Sequence, residues 1–211
     1  MSEVIAQDWV PVVNEPRHQL VFENSQAIIL DVDLPPGYVS LYHEHRIDLL
    51  YVTISGSQVW AEELYGERRD VNVPTGDLRF SSDNHDLPHI HRVGNVGQRP
   101  FRIIGIGRKD TTPTQAQGPA ISGNTRGLIL DQEKTHASVF RIKLKPGEKT
   151  GEHRHQLPHA QVFMNDGVLA GHGGTAQVVT EGEFLWQAGG ISHHYENQGS
   201  HALEIVEVQW R

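Results

Sequence analysis

The sequence predicts an all-β protein that contains two copies of one β-sheet domain. Gly (21) and Pro (11) are frequent among the 211 residues, which favours many turns and short strands. Apolar and polar residues alternate through VFRIKLK and LEIVEVQW, whereas no amphipathic stretch of helical length occurs. An apolar strand that ends in Pro-Gly, in AIILDVDLPPG, recurs later within LILDQEKTHASVFRIKLKPG. Each half, at about 100 residues, is long enough to bury a core of its own.

The repeat extends to single residues and sets the predicted domain boundaries. Pairs related by 110 positions are Gly37 and Gly147, His43 and His153, and His45 and His155; pairs related by 102 are His91 and His193, and Asn95 and Asn197. Residues 1–17 are predicted to be an arm whose Trp9 and Val10 to Val13 dock onto a domain or a partner subunit. The first domain then covers 18–108 and the second 124–211. Between them, 109–123 is rich in Thr, Pro, Gln and Gly and predicts a linker.

The histidines of GEKTGEHRHQLPH in the second copy have the spacing of a metal half-site. Side chains alternate faces along a strand, so His153 and His155 point the same way. His159 begins the next strand after Pro158, and His193 follows a Gly-Gly turn much later in the chain. Imidazoles that converge from three strands are a recurrent way to bind a first-row transition metal. His159 is either a ligand or a rim residue, with Gln161 then pointing inward.

The first copy keeps three of these histidines: His43, His45 and His91. Its second half is longer, because SSDNHDLPHIH adds four residues and brings His85, Asp86 and His89 near His91. This insertion either remakes a site or lines a loop. We therefore rank the second copy first as a metal site and keep the first copy open. The remaining histidines with no spacing argument are predicted to lie at the surface or behind the ligands: His18, His136, His172, His194 and His201.

These motifs resemble those of the cupins. The first cupin motif falls on Gly147, His153 and His155, with His159 where the family has Glu and Gly167 one residue late. The second motif is matched at Gly182, Ala188 in place of Pro, Gly190, His193 and Asn197. In the first copy the Glu position is Leu49, followed by Tyr51 and Thr53 on the same face. The resemblance implies two tandem double-stranded β-helix barrels, each of which can hold a metal ion inside.

Composition excludes several other classes of site and partner. The chain has no Cys, so a transition metal must be held by His, carboxylate, amide or water. A net charge of -8 without a basic stripe argues against nucleic acid as a partner. No stretch has the apolar length of a membrane span, and the start MSEVIAQDW lacks a basic region followed by an apolar one, so we expect a cytoplasmic protein. The apolar arm and the pairing common among cupin barrels predict a homodimer.

The chemistry expected of such a site follows from its charge. A metal held by three or four His and no carboxylate keeps its full positive charge, and should favour a small anionic or enolisable organic substrate. With one divalent ion per active barrel, Fe(II) favoured, we expect a dioxygenase-type reaction. Mn, Ni or Zn in the same place would serve a lyase, decarboxylase or isomerase. A non-catalytic cupin that binds a small ligand is the alternative from a different class, because fold alone does not fix function.

Overall fold

The computed structural model describes residues 8–82, 84, 86–109, 120–134, 137–171 and 174–210. The chain divides into two compact units, residues 1–111 and 112–211, here named the first unit and the second unit. Regular structure in the described residues is β-strand apart from one short 3-10 helix at Val12–Asn14, which confirms the all-β prediction. Among these residues no helix is long and apolar enough to cross a membrane.

The first unit has ten strands within its described part. They form two five-stranded sheets, in the orders β1-β4-β9-β6-β7 and β2-β3-β10-β5-β8. Their bounds are β1 (Val10–Pro11), β2 (His18–Glu23), β3 (Ala27–Leu34), β4 (His43–His45), β5 (Asp48–Ser55), β6 (Ser57–Glu63), β7 (Arg68–Val73), β8 (Leu78–Ser81), β9 (His89–Asn95) and β10 (Phe101–Arg108).

The second unit has a similar arrangement, in which one five-stranded sheet is accompanied by two three-stranded sheets. Its described strands form sheets in the orders β12-β13-β21-β15-β18, β11-β14-β19 and β17-β16-β20. Their bounds are β11 (Ile121–Gly123), β12 (Leu128–Lys134), β13 (Ala137–Leu144), β14 (His153–His155), β15 (His159–Phe163), β16 (Gly167–Ala170), β17 (Ala176–Val179), β18 (Phe184–Gln187), β19 (Ser192–His193), β20 (Glu196–Asn197) and β21 (Leu203–Trp210).

The central strands of the two units pair in the same register. In the first unit β10 lies antiparallel between β3 and β5, and in the second unit β21 lies antiparallel between β13 and β15. Leu30 of β3 faces Gly105 of β10, while Phe140 of β13 faces Glu207 of β21. The offsets of 110 and 102 seen in the sequence are therefore the offsets of the paired strands, and Gly105 and Glu207 occupy equivalent positions.

Each unit has its own apolar core on the inner faces of these strands. Side chains on a strand alternate between faces, and both faces of the central strands are largely buried here. The buried core of the first unit is formed by Val12, Ile28, Leu30, Val32, Leu34, Leu49, Val59, Val73 and Phe101. That of the second unit is formed by Ile142, Leu144, Phe163, Leu169, Val179, Tyr195, Leu203 and Ile205.

The repeated Gly and Asn residues have the same structural role in both units. Gly37 and Gly147 have φ values of +80° and +76°, which favour glycine because it lacks a Cβ. Their N–H groups donate to the carbonyls of Asn95 and Asn197, each at 2.8 Å. The buried Asn95 amide donates to Leu34 O at 2.7 Å, and the Asn197 amide donates to the equivalent carbonyl at 2.8 Å. These motif residues therefore fasten the strand ends and are not candidate ligands.

The predicted arm packs on the first unit, and the described end of the predicted linker belongs to the second unit. Val10–Pro11 forms a parallel strand pair with β4, and Val12 is buried in the core of the first unit, so the arm docks on its own domain. Within the segment predicted as a linker, Ile121–Gly123 pairs with β14 and so belongs to the second unit. Residues 110–119 of the linker lie outside the described residues.

Candidate metal centre

Four residues of the second unit bring potential ligand atoms together. His153 and His155 on β14, His193 on β19 and Glu207 on β21 each offer one atom, and these atoms all lie within 4.8 Å of one another. The burial of β14 alternates buried, exposed, buried, which directs both of its histidines inward. The register places His193 directly opposite His153. The His-x-His spacing and the Gly-Gly turn thus bring the imidazoles of His153, His155 and His193 together.

Glu207 corrects the expectation that the site lacks a carboxylate. Its Oε2 lies 3.0 Å from His155 Nε2 and 3.7 Å from His153 Nε2, and its Oε1 lies 3.6 Å from His193 Nε2. The Glu207 side chain is fully buried. Burial alone would raise the pKa of this carboxyl, but its interactions with the three histidines hold the pKa well below its usual range. The second unit therefore combines three imidazoles with an ionised carboxylate.

Hydrogen bonds that Nδ1 donates fix the orientation of the three imidazole rings. His153 Nδ1 donates to Gly151 O at 3.0 Å, and His193 Nδ1 donates to Ile191 O at 3.2 Å. His155 Nδ1 lies 3.2 Å from Gln209 Oε1, which can only accept. A proton on Nδ1 leaves the Nε2 lone pair of His153 and His193 directed at the cluster, whereas His155 Nε2 lies at hydrogen-bond distance, 3.0 Å, from the Glu207 carboxylate.

Tyr195 and Gln161 support Glu207 from behind. The Tyr195 hydroxyl donates to Glu207 Oε1 at 2.5 Å and accepts a hydrogen bond from the Gln161 amide. Burial, together with the Glu207 charge, raises the pKa of Tyr195 well above its usual value, so this hydroxyl stays protonated. The pair fixes the position of one carboxylate oxygen. It also accounts for the inward orientation of Gln161, which the sequence left as one of two alternatives.

His159 lies beside the four-residue cluster. Its ring stacks on His155, with centroids 3.8 Å apart, and its Nε2 is 3.9 Å from Glu207 Oε1. Its atoms fall outside the group that lies within 4.8 Å. Burial, and the nearby His155, lower the pKa of His159 to about 3, so it is a neutral residue packed against the four-residue cluster.

The donor atoms of the second unit fit a divalent first-row metal ion. The Nε2 atoms of His153 and His193 are buried and have no hydrogen-bond partner. Leaving buried polar atoms unpaired is costly, whereas imidazole and carboxylate ligands suit Mn, Fe, Co, Ni and Zn. A cation between these atoms would satisfy them together and offset the buried carboxylate.

The first unit assembles the three histidines that the sequence proposed. His43 and His45 on β4 and His91 on β9 offer atoms within 4.8 Å of one another, and His45 Nε2 is 3.1 Å from His91 Nε2. His43 Nδ1 donates to Leu41 O at 2.9 Å, which matches the bond of His153 to Gly151. Burial lowers the pKa of His43 to about 3, and those of His45 and His91 well below their usual value. All three are neutral imidazoles.

At the position that Glu207 occupies in the second unit, the first unit has Gly105, which has no side chain. The strand register aligns Leu49, Tyr51, Gly105 and Gly107 with His159, Gln161, Glu207 and Gln209, respectively. A Cβ placed on Gly105 would lie 3.5 Å from the Tyr51 ring, so a longer side chain would compete with that ring for space. At Gly107 a Cβ would lie 2.6 Å from Ile47 Cδ1. The two units therefore present different chemistry on one scaffold.

Glu15 of the arm reaches the first cluster through His18, and the sequence did not single it out. Its Oε2 lies 2.6 Å from His18 Nδ1, and its Oε1 accepts a hydrogen bond from Tyr38 at 3.0 Å. The His18 ring lies 4.3 Å from the His43 ring, measured between centroids. His18 is 6% exposed, so it lies behind the three-His cluster and not at the surface.

The insertion of the first unit contributes one histidine to the neighbourhood. His89 pairs opposite His45, and its ring centroid is 4.4 Å from that of His91. It is partly exposed, lies 3.7 Å from Glu63 and does not join the three-His group. Asn84 anchors the loop through a 3.0 Å bond to Ile47 O. His85 lies outside the described residues.

Sequence reasoning missed Glu207 although the strand pattern contained a signal. In LEIVEVQW the inward face of β21 carries two apolar residues, Leu203 and Ile205, and then two polar residues, Glu207 and Gln209. Polar residues that continue the core face of a strand need buried partners. Two polar residues in succession on the buried face of a strand therefore indicated an internal polar site.

Comparisons with known proteins place the fold. No protein-family model matches the chain. Among curated proteins it is similar to mannose-1-phosphate guanylyltransferase of Salmonella montevideo, with 25% identity over 188 residues. The match covers 74% of this chain, which spans 38% of the length of that relative.

Three solved structures are similar over most of the chain. AerE from Microcystis aeruginosa has a TM-score of 0.64 and 11% identity, covering 93% of this chain and 98% of its own. A cupin 2 conserved barrel domain protein from Leptotrichia buccalis has a TM-score of 0.54 and 12% identity, covering 91% and 87%. Bacillus subtilis oxalate decarboxylase, in a study of its Mn(II) centers, has a TM-score of 0.57 and 12% identity, covering 88% and 69%.

Proposed function

We propose that this chain, whose fold is similar to that of the cupin 2 conserved barrel domain protein and of oxalate decarboxylase, is a metal-dependent enzyme whose working site lies in the second unit. His153, His155, His193 and Glu207 would hold one divalent transition-metal ion there. The observation that carries the proposal is the convergence of three imidazoles on the fully buried carboxylate of Glu207. The Nε2 atoms of His153 and His193 have no hydrogen-bond partner there.

The carboxylate changes the electrostatics of the expected chemistry. One negative ligand offsets part of the charge of a divalent ion, so the site retains one net positive charge. It should still prefer a small anionic or enolisable organic substrate, such as a carboxylate or an enolate. The four side chains leave the remaining coordination positions of a six-coordinate ion to the substrate and a second small molecule.

A dioxygenase-type reaction with Fe(II) is our first choice. Fe(II), when bound, supplies the activation of dioxygen beside a coordinated substrate. The chain itself supplies orientation, because Gln209 fixes His155 and Tyr195 fixes Glu207 at hydrogen-bond distance. The neutral, buried His159 and the surrounding apolar core of the second unit keep the neighbourhood of the ligands dry.

A lyase, decarboxylase or isomerase reaction is the second candidate. Tyr195 favours it, because its protonated hydroxyl is buried next to Glu207 and can hold a proton close to the cluster. The Mn(II) centers of the similar oxalate decarboxylase make Mn the alternative ion for this class.

The test begins with the metal content of the purified protein. Elemental analysis should find one divalent transition metal that depends on the second unit, and His153→Ala or His193→Ala should lose most of it. His201→Ala, which removes an exposed imidazole of the same unit, is the matched control and should retain the metal. Oxygen uptake with diketones, catechols and hydroxy-aromatic acids then separates an oxygenase from a lyase or isomerase. A protein that neither acquires nor retains metal would refute the enzymatic proposal and leave a ligand-binding cupin.

A further inference from the structure

The two carboxylate oxygens of Glu207 have different surroundings. Oε2 faces the two histidines of β14, at 3.0 Å from His155 Nε2 and 3.7 Å from His153 Nε2. Oε1 lies 3.6 Å from His193 Nε2 and accepts a hydrogen bond from the Tyr195 hydroxyl at 2.5 Å. One oxygen is therefore held by a donor that is not a candidate ligand, whereas the other faces only imidazole nitrogens of the cluster.

The Tyr195 hydroxyl is fixed in place from several directions. A tyrosine hydroxyl has one proton to donate, and because this oxygen accepts a hydrogen bond from the Gln161 amide, its own proton is directed to Glu207. The Tyr195 backbone is fastened to buried Thr150, with its N–H donating to Thr150 Oγ1 and its carbonyl accepting from Thr150 N–H, both at 2.9 Å. A bond from a fixed hydroxyl to a charged oxygen is among the stronger hydrogen bonds in proteins.

The number of carboxylate oxygens that bind an ion decides how many positions the substrate can use. A carboxylate binds a cation through one oxygen or through both. With three imidazoles, one-oxygen binding by Glu207 fills four positions of a six-coordinate ion and leaves two. Two-oxygen binding would leave only one, which is too few for a substrate that chelates the ion.

We propose that Tyr195 is a positioning residue that confines Glu207 to coordination through Oε2 and so keeps two positions open. The hydroxyl engages Oε1 and stops the carboxylate from turning both oxygens toward the ion. This inference rests on the metal site of the proposed function and adds a substrate class to it. The class is small carboxylates that chelate through a second, neighbouring oxygen, as 2-hydroxy and 2-oxo acids do.

The first unit lacks the carboxylate and the hydroxyl together. The positions equivalent to those of the amide, the hydroxyl and the carboxylate carry Tyr51, Val93 and Gly105 there. Val93 packs against the apolar core of that unit, so this position of the fold does not itself require a hydroxyl. A polar group at this depth needs a buried partner, and in the second unit Tyr195 has that partner in Glu207.

Tyr195→Phe tests the role through the water bound to Mn²⁺, measured by water-proton relaxation. All proteins, including the parent, carry His91→Ala, which removes one imidazole of the first cluster and assigns the bound ion to the second unit. In Tyr195→Phe the relaxation rate per bound Mn²⁺ should fall about twofold, because the freed Oε1 replaces one of two waters. Mn²⁺ affinity should equal or exceed that of the parent, whereas loss of a merely supporting hydroxyl would weaken it by about 10- to 100-fold.

An unchanged relaxation rate per bound ion in Tyr195→Phe would overturn the inference and leave the metal site standing. A parent that binds no Mn²⁺ would instead refute the proposed function, and this inference with it. Tyr38→Phe is the matched control, because it removes a tyrosine hydroxyl from a carboxylate of the first unit, Glu15 at 3.0 Å. It should match the parent in relaxation rate and in affinity.

Glycolate and acetate test the substrate class by calorimetry on the Mn²⁺ proteins. Glycolate chelates through its carboxylate and hydroxyl, so Tyr195→Phe should weaken it by at least about tenfold, while acetate should stay within about threefold of the parent. Equal changes for the two anions would overturn the assignment. If Tyr195→Phe fails to fold, Gln161→Met removes the amide that fixes the hydroxyl and should shift relaxation and glycolate affinity in the same direction. Parent values for both in Gln161→Met would count against the inference equally.

Discussion

Glu207→Gln tests the residue that most changes the chemistry of the second unit. Glutamine has nearly the same shape and can still accept the Tyr195 hydroxyl bond through Oε1, so packing and that contact are retained. The variant loses a buried negative charge that lies 3.0 Å from His155 Nε2. Loss of a supporting hydrogen bond behind a metal ligand costs about 10- to 100-fold in metal affinity, so loss of a charged ligand should cost at least about 100-fold, or ~2.7 kcal/mol.

The assay is a competition titration of Mn²⁺ or Fe(II) against a fluorescent chelator. Glu204→Gln is the matched control, because Glu204 lies on the same strand but points outward and pairs with Arg141 at 2.5 Å. This control should bind metal as the parent protein does. If Glu207→Gln retains the metal affinity of the parent protein, the carboxylate is not a ligand and does not offset the charge of the ion.

Three further predictions concern other parts of the chain. Burial would raise the pKa of Glu15, but its hydrogen bonds to His18 and to Arg17 N–H lower this pKa to about 2. The contribution of Glu15 to stability is therefore complete above its unfolded pKa of 4.5 and is lost as the pH falls through about 2. Glu15→Gln should therefore lower the melting temperature at pH 7, with a deficit that shrinks below pH 4.5 in thermal scans; a deficit independent of pH would contradict this. His159→Gln should keep metal affinity within about tenfold of the parent, unlike His193→Gln, because His159 packs beside the ligands; an equal loss in both would make it a ligand. The protein should sediment as a homodimer at micromolar concentration, and a monomer there would remove that expectation.

The orientation of His153 and His155 could be predicted because it is local: His-x-His on one strand needs only the alternation of side chains. His193 joins them through the pairing of β14 with β19, and it was proposed because it occupies the histidine position of the second motif. The all-β class and the repeat were likewise readable, since Gly37 and Gly147 need the same positive φ and bond to the same kind of Asn. Such features depend on a few neighbouring residues and are therefore visible as motifs.

Glu207 and Glu15 could not be predicted in the same way, because each depends on a pairing across the fold. Glu207 enters the cluster only because β21 lies between β13 and β15 in one register, which sets it opposite Gln161. Shifting that register by one residue would turn its side chain to the other face. Glu15 reaches the first cluster through the docking of an arm against β4. The expectation of a site without carboxylate was wrong because it considered only the motif strands.

The two units show which positions of the fold are free to change chemistry. Residues that fasten the backbone, such as Asn95 and Asn197, make the same bonds in both units because the strand ends require them. The inward positions of the central strands carry no such requirement, so the same register can present Gly105 in one unit and Glu207 in the other. Exchanging a glycine for a carboxylate at that position changes the net charge around three histidines by one unit without altering the ladder. The interiors of the two units therefore differ in charge at one equivalent position, which is the reason to test the units separately.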